Sequence, residues 1–306
     1  MKALGLLLFV VVFLARLMPA QGAGAARVAW PKMAEVFQGE IVEIKVSGPD
    51  LVAVEGRLGK EKIYFYPNGP GSFSAIVGAD VEAKPGAAKL SLKLSGWSRV
   101  PQQREIPFKI KAKTFRKESF SVAPGFDRMT PEALEQIRHE REAFARAFAA
   151  SAPERLWDAP FIRPVPHEAS ASSFGWRRII NGAPRAPHTG TDLSSPAGTE
   201  VVAANHGKVV LVGDFFFAGG SVVLDHGGGL FTMYFHLSDL KVGEGALVQK
   251  GDVLALSGAT GRVTGAHLHW GARLANARID PLELLSKVSA VDSGREVETI
   301  TNKTEK

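Results

Sequence analysis

Two histidines separated by one residue, His267 and His269, stand out as a possible site of chemistry within Gly261–Trp270. Side chains alternate along a strand, so both imidazoles would project from one face if this stretch is extended. Such a pair could hold one metal ion jointly, or divide into one ligand and one acid/base group. The alternative interpretation is a pair of ordinary surface residues on a strand, because a motif this short is not specific.

An upstream fragment, His188-Thr189-Gly190-Thr191-Asp192, strengthens the interpretation as a metal site. It supplies a third imidazole and a carboxylate, and zinc accepts both ligand types. The two fragments lie far apart in sequence, so the intervening chain must form a fold that brings them together.

The first 26 residues have the pattern of an export signal. The basic residue Lys2 precedes an apolar run from Ala3 to Ala15, which is shorter than the ~20 residues needed to span a bilayer. Arg16 and a region rich in alanine and glycine follow, which predicts cleavage near Ala20 or within the alanine- and glycine-rich run to Ala26. An uncleaved anchor is disfavoured by the length of the run and by Arg16, so no stable membrane span is expected in the mature protein.

Composition narrows the class of protein further. The sequence contains no cysteine, which excludes both disulfides and lipid attachment through an N-terminal cysteine. The formal net charge is +6, a modest excess that is compatible with an anionic cell wall. No stripe of basic residues interleaved with aromatic residues occurs, so nucleic acid is not an expected partner.

The chain is predicted to be mainly β and to divide into segments at 27–112, 113–156, 157–286 and 287–306. Short β segments with turn residues predict a β-sandwich-like binding or regulatory domain over 27–112, which contains no histidine. A structural spacer is the alternative role for this domain. Residues 157–286 form a second, glycine-rich β domain that holds most of the histidines, and 287–306 form a polar tail.

The segment 113–156 is predicted to be a connector with one amphipathic helix. Thr130 and Pro131 give a capping hydroxyl and a proline at the first helical position, and the helix should run to about Ala150. Its apolar stripe needs a surface to cover it, and the second domain is the nearest candidate. The stripe consists of Leu134, Ile137, Phe144 and Phe148.

Several motifs of the second domain, taken in order, resemble the LytM/lysostaphin-type zinc metallopeptidases of the M23 family. They are Ser173–Arg177, His188-x-Gly-x-Asp192, Met233–Leu237, Gly258–Arg262 and Gly265-x-His267-Leu268-His269. The resemblance covers the whole second domain but not the first closely. It implies a β-sheet fold of the duplicated hybrid motif type with a narrow groove, one catalytic zinc, and hydrolysis of peptide cross-links in peptidoglycan. An exported, periplasmic or cell-wall-associated enzyme is therefore expected, with peptidoglycan peptide stems as its partner.

The resemblance also implies roles for individual residues. His188, Asp192 and His269 would be the zinc ligands and would leave a fourth position for water, the arrangement of a catalytic site. His236 and His267 would stand beside the metal, one as general base and the other stabilising the oxyanion. The sequence does not assign these two roles individually.

Two other classes of function are compatible with parts of the sequence. A non-catalytic peptidoglycan-binding protein or activator of a cell-wall amidase could share the fold, but the intact ligand set argues against it. A lipoyl- or biotinyl-type carrier is suggested by Val248–Leu254, but the sequence lacks the lysine-containing attachment turn. The bond cut within the cross-bridge stays open, as does the first domain's role in masking the groove or anchoring the enzyme.

Overall fold

A computed structural model describes residues 28–96, 101–121, 129–158, 160–166 and 172–288. The predicted signal peptide lies outside the described residues, as does nearly all of the predicted tail. Among the described residues, no helix is both long and apolar enough to cross a membrane.

The first domain consists of two β-sheets that enclose one apolar core. Its strands are β1 (Ala34–Phe37), β2 (Ile41–Ser47), β3 (Leu51–Leu58), β4 (Glu61–Tyr64), β5 (Tyr66–Gly69), β6 (Ser72–Gly78), β7 (Gly86–Gly96) and β8 (Gln102–Lys111). One sheet has the order β1-β8-β7-β3-β4 and the other β2-β6-β5. Alternation along β7 buries Leu90, Leu92 and Leu94 at 0 to 3% exposure, as the period of a strand requires. The mainly β prediction is confirmed.

The predicted helix is present as α1 (Pro131–Ala149) and packs on the second domain. The Thr130 hydroxyl accepts a hydrogen bond from the Ala133 amide at 3.2 Å, which caps the first turn. Phe144 and Phe148 contact aromatic side chains of the second domain. Leu134 is 56% exposed, so its assignment to the covered stripe was wrong; it lies in the first turn, before the helix meets that surface.

The predicted connector also contains a strand, β9 (Lys117–Phe120), that the sequence analysis did not include. It pairs in parallel with β10 (Arg177–Ile180), and β10 pairs with β11 (Ala183–Pro184). The connector is therefore hydrogen-bonded to the second domain before α1 begins.

A nine-stranded sheet holds the histidine-rich motifs of the second domain. Its strands are β12 (Gly190–Ser194), β13 (Glu200–Val202), β14 (Gly207–Phe215), β15 (Gly219–Asp225), β16 (Leu230–Leu240), β17 (Leu247–Val248), β18 (Val253–Ser257), β19 (His267–Leu274) and β20 (Ala277–Ile279). The main path runs β12-β19-β16-β15-β14-β17. Strands β12, β19 and β16 are neighbours, which places the three main histidine motifs side by side. A short helix, α2 (Leu282–Lys287), closes the fold.

Charged and apolar contacts join the two domains. Arg278 donates two hydrogen bonds to the Asp80 carboxylate, through Nε at 2.8 Å and a terminal nitrogen at 2.6 Å. Ile41 of β2 is buried in the core of the second domain. Lys287 pairs with Glu40 at 2.9 Å, and Val288 is 5% exposed in the same core. The first two residues of the predicted tail are therefore part of the fold.

His226, which directly follows β15, makes a structural hydrogen-bond network. Its Nδ1 donates to the carbonyl of His206 at 2.7 Å, and its Nε2 lies 2.7 Å from the Thr232 hydroxyl. The ring is fully buried, and burial lowers the pKa of His226 to about 4. The folded protein therefore keeps this imidazole neutral at pH values where an unfolded chain would protonate it.

We expect His226 to make the protein less stable as the pH falls from about 6.5 to about 4. In this window the unfolded chain binds the proton and the folded chain does not, so the free energy of unfolding should fall by about 3 kcal/mol in total. Denaturant unfolding of metal-free protein at several pH values measures this slope. His226→Gln should flatten the slope, although it lowers stability at every pH. Equal slopes in wild type and His226→Gln would contradict the assignment.

Candidate metal centre

Three donor atoms converge at one end of the β12-β19-β16 group. His188 Nε2 lies 2.9 Å from His269 Nδ1 and 3.1 Å from Asp192 Oδ1, and His269 Nδ1 lies 3.0 Å from the same oxygen. His188 and His269 are buried, whereas the Asp192 side chain is 31% exposed. A buried imidazole pair therefore faces a carboxylate that still reaches solvent.

Strand register produces this convergence. Asp192 on β12 is directly opposite His269 on β19, and His269 is opposite Phe235 on β16. The Phe235 ring stacks on the His269 ring with 5.4 Å between centroids and an interplanar angle of 6°. His188 approaches from just before β12, and the amide of Gly175 donates to its carbonyl at 2.8 Å. The sheet thus fixes Asp192 and His269, and the preceding loop fixes His188.

The donor set fits a divalent metal such as zinc. His188 Nδ1 lies 2.9 Å from the carbonyl oxygen of Ser173, which can only accept, so Nδ1 carries the proton and Nε2 has its lone pair directed at the centre. Zinc binds imidazole nitrogen and carboxylate oxygen at about 2.0–2.2 Å, so tetrahedral ligand atoms lie ~3.3 Å apart. The three observed separations are close to this value. The adjacent imidazoles of His188 and His269 outweigh burial and hold the pKa of Asp192 far below its usual range, which keeps the carboxylate ionised.

The other two candidate residues, His236 and His267, lie beside this centre. Their rings are 4.8 Å apart between centroids, and His267 Nε2 lies 3.6 Å from Asp192 Oδ1. His236 Nδ1 donates to the carbonyl of Thr260 at 3.0 Å, and His267 Nδ1 donates to the carbonyl of Gly265 at 2.9 Å. In a neutral ring held in this way, Nε2 is the proton acceptor. Burial, with the neighbouring His269, lowers the pKa of His236 to about 4 and keeps it neutral near pH 7.

His236 has an unusual backbone conformation for a non-glycine residue. Its φ is +66°, in the left-handed region, and its amide donates to the carbonyl of Ala218 at 2.8 Å. The pairing of β15 with β16 shifts register between Gly220 and Val222, close to where His236 lies on β16. Such strain concentrates where a side chain must be held in a particular direction. Here it accompanies an imidazole directed at the candidate site.

Gly190 gives the His269 ring its space. A Cβ on Gly190 would lie 2.4 Å from His269 Nε2 and 2.6 Å from the carbonyl oxygen of Trp270. We expect Gly190→Ala to push the His269 ring away from the centre and to weaken zinc binding by ~10- to 100-fold, as loss of a supporting contact typically does. Competition with a fluorescent chelator measures this affinity. Gly243→Ala is a matched control, since nothing lies within 4 Å of its Cβ position and its backbone is outside the left-handed region. Equal zinc affinity in Gly190→Ala and wild type would contradict the steric argument.

The structure gives roles around the site to residues whose function the sequence motifs did not assign. Thr260 supplies the carbonyl that orients His236, and its hydroxyl donates to the carbonyl of Leu237 at 2.7 Å. The Arg262 guanidinium lies 5.8 Å from the ring centroids of both Phe216 and Phe217. These two phenylalanines therefore belong to a loop beside the site rather than to a core. The sequence did not reveal these roles because each depends on which loop packs beside His236.

Comparison with known proteins agrees with this geometry. The model of peptidase family M23 matches residues 186–281. Residues 186–281 are an M23 peptidase domain. All five candidate residues fall within this M23 domain: His188, Asp192, His236, His267 and His269.

Relatives of the M23 domain are named peptidoglycan endopeptidases. One is the peptidoglycan DD-endopeptidase ShyA of Vibrio cholerae, which is 45% identical over 101 residues that make up 33% of this chain and 24% of the relative. Another is the DD-carboxypeptidase/endopeptidase Mpg of Neisseria meningitidis, 35% identical over 123 residues, which are 40% of this chain and 28% of the relative. The chain thus matches about a quarter of the length of these curated relatives.

A solved structure resembles the chain beyond the M23 domain. It is a putative peptidase M23 from Pseudomonas aeruginosa, with 28% sequence identity and a TM-score of 0.64. The superposition covers 84% of this chain and 97% of that one. The similarity therefore extends over part of the first domain as well as the M23 domain.

Proposed function

We propose that this protein is a zinc-dependent endopeptidase that hydrolyses peptide cross-links of peptidoglycan. The observation that carries the proposal is the convergence of His188, Asp192 and His269 on one point, with His236 and His267 beside it. Three protein ligands leave a fourth position for water, as in catalytic zinc sites. The names of the M23 relatives support peptidoglycan as the substrate.

Three residues of the site would bind the metal ion, and two others would take part in the reaction. His188 Nε2, Asp192 Oδ1 and His269 Nδ1 would hold one zinc ion per chain. When bound, zinc lowers the pKa of a coordinated water to about 7 and polarises a carbonyl group. One of His236 and His267, as a neutral ring, accepts the proton of the attacking water at Nε2, and the other, as an imidazolium with both ring nitrogens protonated, donates from Nε2 to the oxyanion. The hydrogen bonds from Nδ1 to backbone carbonyls hold both rings for this task.

A non-catalytic binder or amidase activator is the competing function. That class does not require the two reacting histidines, whereas both are present here and both are oriented by backbone carbonyls. The export signal predicted over residues 1–26 agrees with action on the wall outside the cytoplasm, in the periplasm or at the cell wall. Action on the cell wall also agrees with the net positive charge of the chain.

The first domain is proposed to bind the wall or a partner, or to regulate access to the groove. In the described residues its ion pairs with the second domain lie at Arg177, Arg278 and Lys287, not at the five site residues. An anchoring role would help hydrolysis of intact sacculi and would make no difference to small soluble substrates, whereas masking would slow hydrolysis of both.

Digestion of purified sacculi tests the proposed function directly. The mature protein should release uncross-linked muropeptides, identified by mass analysis, and a chelator should abolish the release until zinc is restored. A protein that binds sacculi and zinc without changing the muropeptide profile would be a binder or activator instead.

A further inference from the structure

Arg178 lies beside the candidate metal centre, although no motif of the sequence analysis includes it. It belongs to β10, and the amide of Arg185 donates to its carbonyl at 2.9 Å across the β10–β11 pair. Side chains alternate along a strand. Arg177 accordingly points at the first domain, where it contacts Glu82 at 3.5 Å and the Val81 carbonyl at 3.3 Å. Arg178 points the other way, towards Asp192.

The guanidinium of Arg178 has N–H donors that make no hydrogen bond to another described residue. One terminal nitrogen lies 3.7 Å from Asp192 Oδ2, the carboxylate oxygen that does not face the histidines. This distance is longer than a hydrogen bond, and no hydrogen bond between described residues uses the guanidinium. The side chain is 38% exposed. A guanidinium carries five donors in a planar fork that matches a carboxylate, so the group can take an anionic ligand from solvent.

We propose that Arg178 binds a free carboxylate of the substrate peptide next to the scissile bond, and that it thereby selects acidic cross-links over neutral ones. This inference rests on the proposed endopeptidase function. It gives the substrate class as a peptide with an ionised carboxyl near the bond that is cut. A cross-link built only of neutral residues such as glycine lacks that group and is a poor substrate.

The charges around the site favour an anion at this position. Asp192 is the carboxylate within 4.0 Å of Arg178, His188, His267 and His269 among the described residues. Its single negative charge is shared between a divalent ion and Arg178, so the centre with zinc bound carries a net positive charge. A substrate carboxylate beside Arg178 therefore meets a net positive charge, and Asp192 is the one described carboxylate that pairs with the arginine.

A second role for Arg178 would explain the same contact. The arginine could merely orient Asp192, so that Oδ1 faces the metal. That role predicts weaker zinc binding when Arg178 is replaced, and an equal loss of rate on all substrates. Recognition of a carboxylate predicts unchanged zinc binding and a loss confined to acidic substrates.

Two synthetic cross-linked peptides separate these roles. They differ only in the carboxyl next to the scissile amide, which is free in one and amidated in the other. The full mature chain, loaded with zinc, should cleave the acid with a kcat/KM about 10- to 100-fold higher, mainly through KM, which is the range expected for a charge-assisted hydrogen bond. Arg178→Gln should remove this preference by raising KM for the acid alone, with zinc affinity unchanged. Arg178→Lys should restore part of it, and Arg177→Gln, which removes the same charge on the opposite side of the strand, should keep it.

Two outcomes would overturn the inference. One is a wild-type protein with no preference between the peptides, and the other is an Arg178→Gln protein with weaker zinc binding and equal losses on both. Binding of non-hydrolysable analogues separates this result from the proposed function. Preferential binding of the acidic analogue without cleavage of either peptide would support the role of Arg178 and contradict the endopeptidase function. Equal cleavage of both peptides would support the endopeptidase function and contradict the role of Arg178.

Discussion

Replacing His188 or Asp192 with alanine should remove both the bound zinc and the hydrolysis of cross-links. Each change leaves two donors at a point where three now lie 2.9 to 3.1 Å apart, so the ion loses a bond and its tetrahedral arrangement. Wild type should contain about one zinc per chain and each variant only a small fraction of that. Elemental analysis after purification gives the zinc content, and muropeptide release from sacculi gives the activity.

A matched control is available on α1. His139 is 63% exposed and pairs with Glu135 on the same helix, so His139→Ala makes the same chemical change away from the centre. It should keep both zinc and activity. Stoichiometric zinc in both His188→Ala and Asp192→Ala would refute the ligand assignment. Circular dichroism of the variants must show the β content of wild type, since an unfolded variant would lose zinc for another reason.

Patterns between residues close in sequence were sufficient to predict that His267 and His269 lie on a strand. The alternation of His267 and His269 placed both imidazoles on one face of a strand, and β19 begins at His267. The strand β7 and the Thr130 cap of α1 could also be predicted, because each depends on residues close in sequence. The proposed roles of the individual residues came from the resemblance to a family, and they remain to be tested.

Contacts between distant segments were beyond such reasoning. Strand β9 is only four residues long, and its partner β10 lies some sixty positions later, so no local pattern marks the pair. Ile41 reads as an ordinary strand residue of the first domain, yet it is buried in the core of the second. The position of Arg178 beside Asp192 follows from the β9-β10-β11 group. It could not be predicted from the sequence, because that group joins segments that are distant in the chain.

The backbone at His236 shows why this residue needs a particular replacement. A φ of +66° strains most side chains, whereas asparagine tolerates the left-handed region better than most. His236→Asn therefore removes the imidazole with less risk to the fold than His236→Ala. His267 lies at the start of β19 with an ordinary conformation, so His267→Ala is suitable there.

We expect His236→Asn and His267→Ala each to keep about one zinc per chain and to lose ~10²- to 10⁴-fold in kcat, the cost of removing one acid/base or oxyanion group. The two histidines adjoin the three donor atoms without completing the set, so zinc content should not follow activity in these variants. The pH dependence of kcat/KM distinguishes their roles, because loss of the general base should remove the acidic limb of the profile, while loss of the protonated oxyanion group should remove the alkaline limb. A variant that is folded but free of zinc would make that histidine a ligand, and a variant with wild-type kcat would exclude it from the reaction.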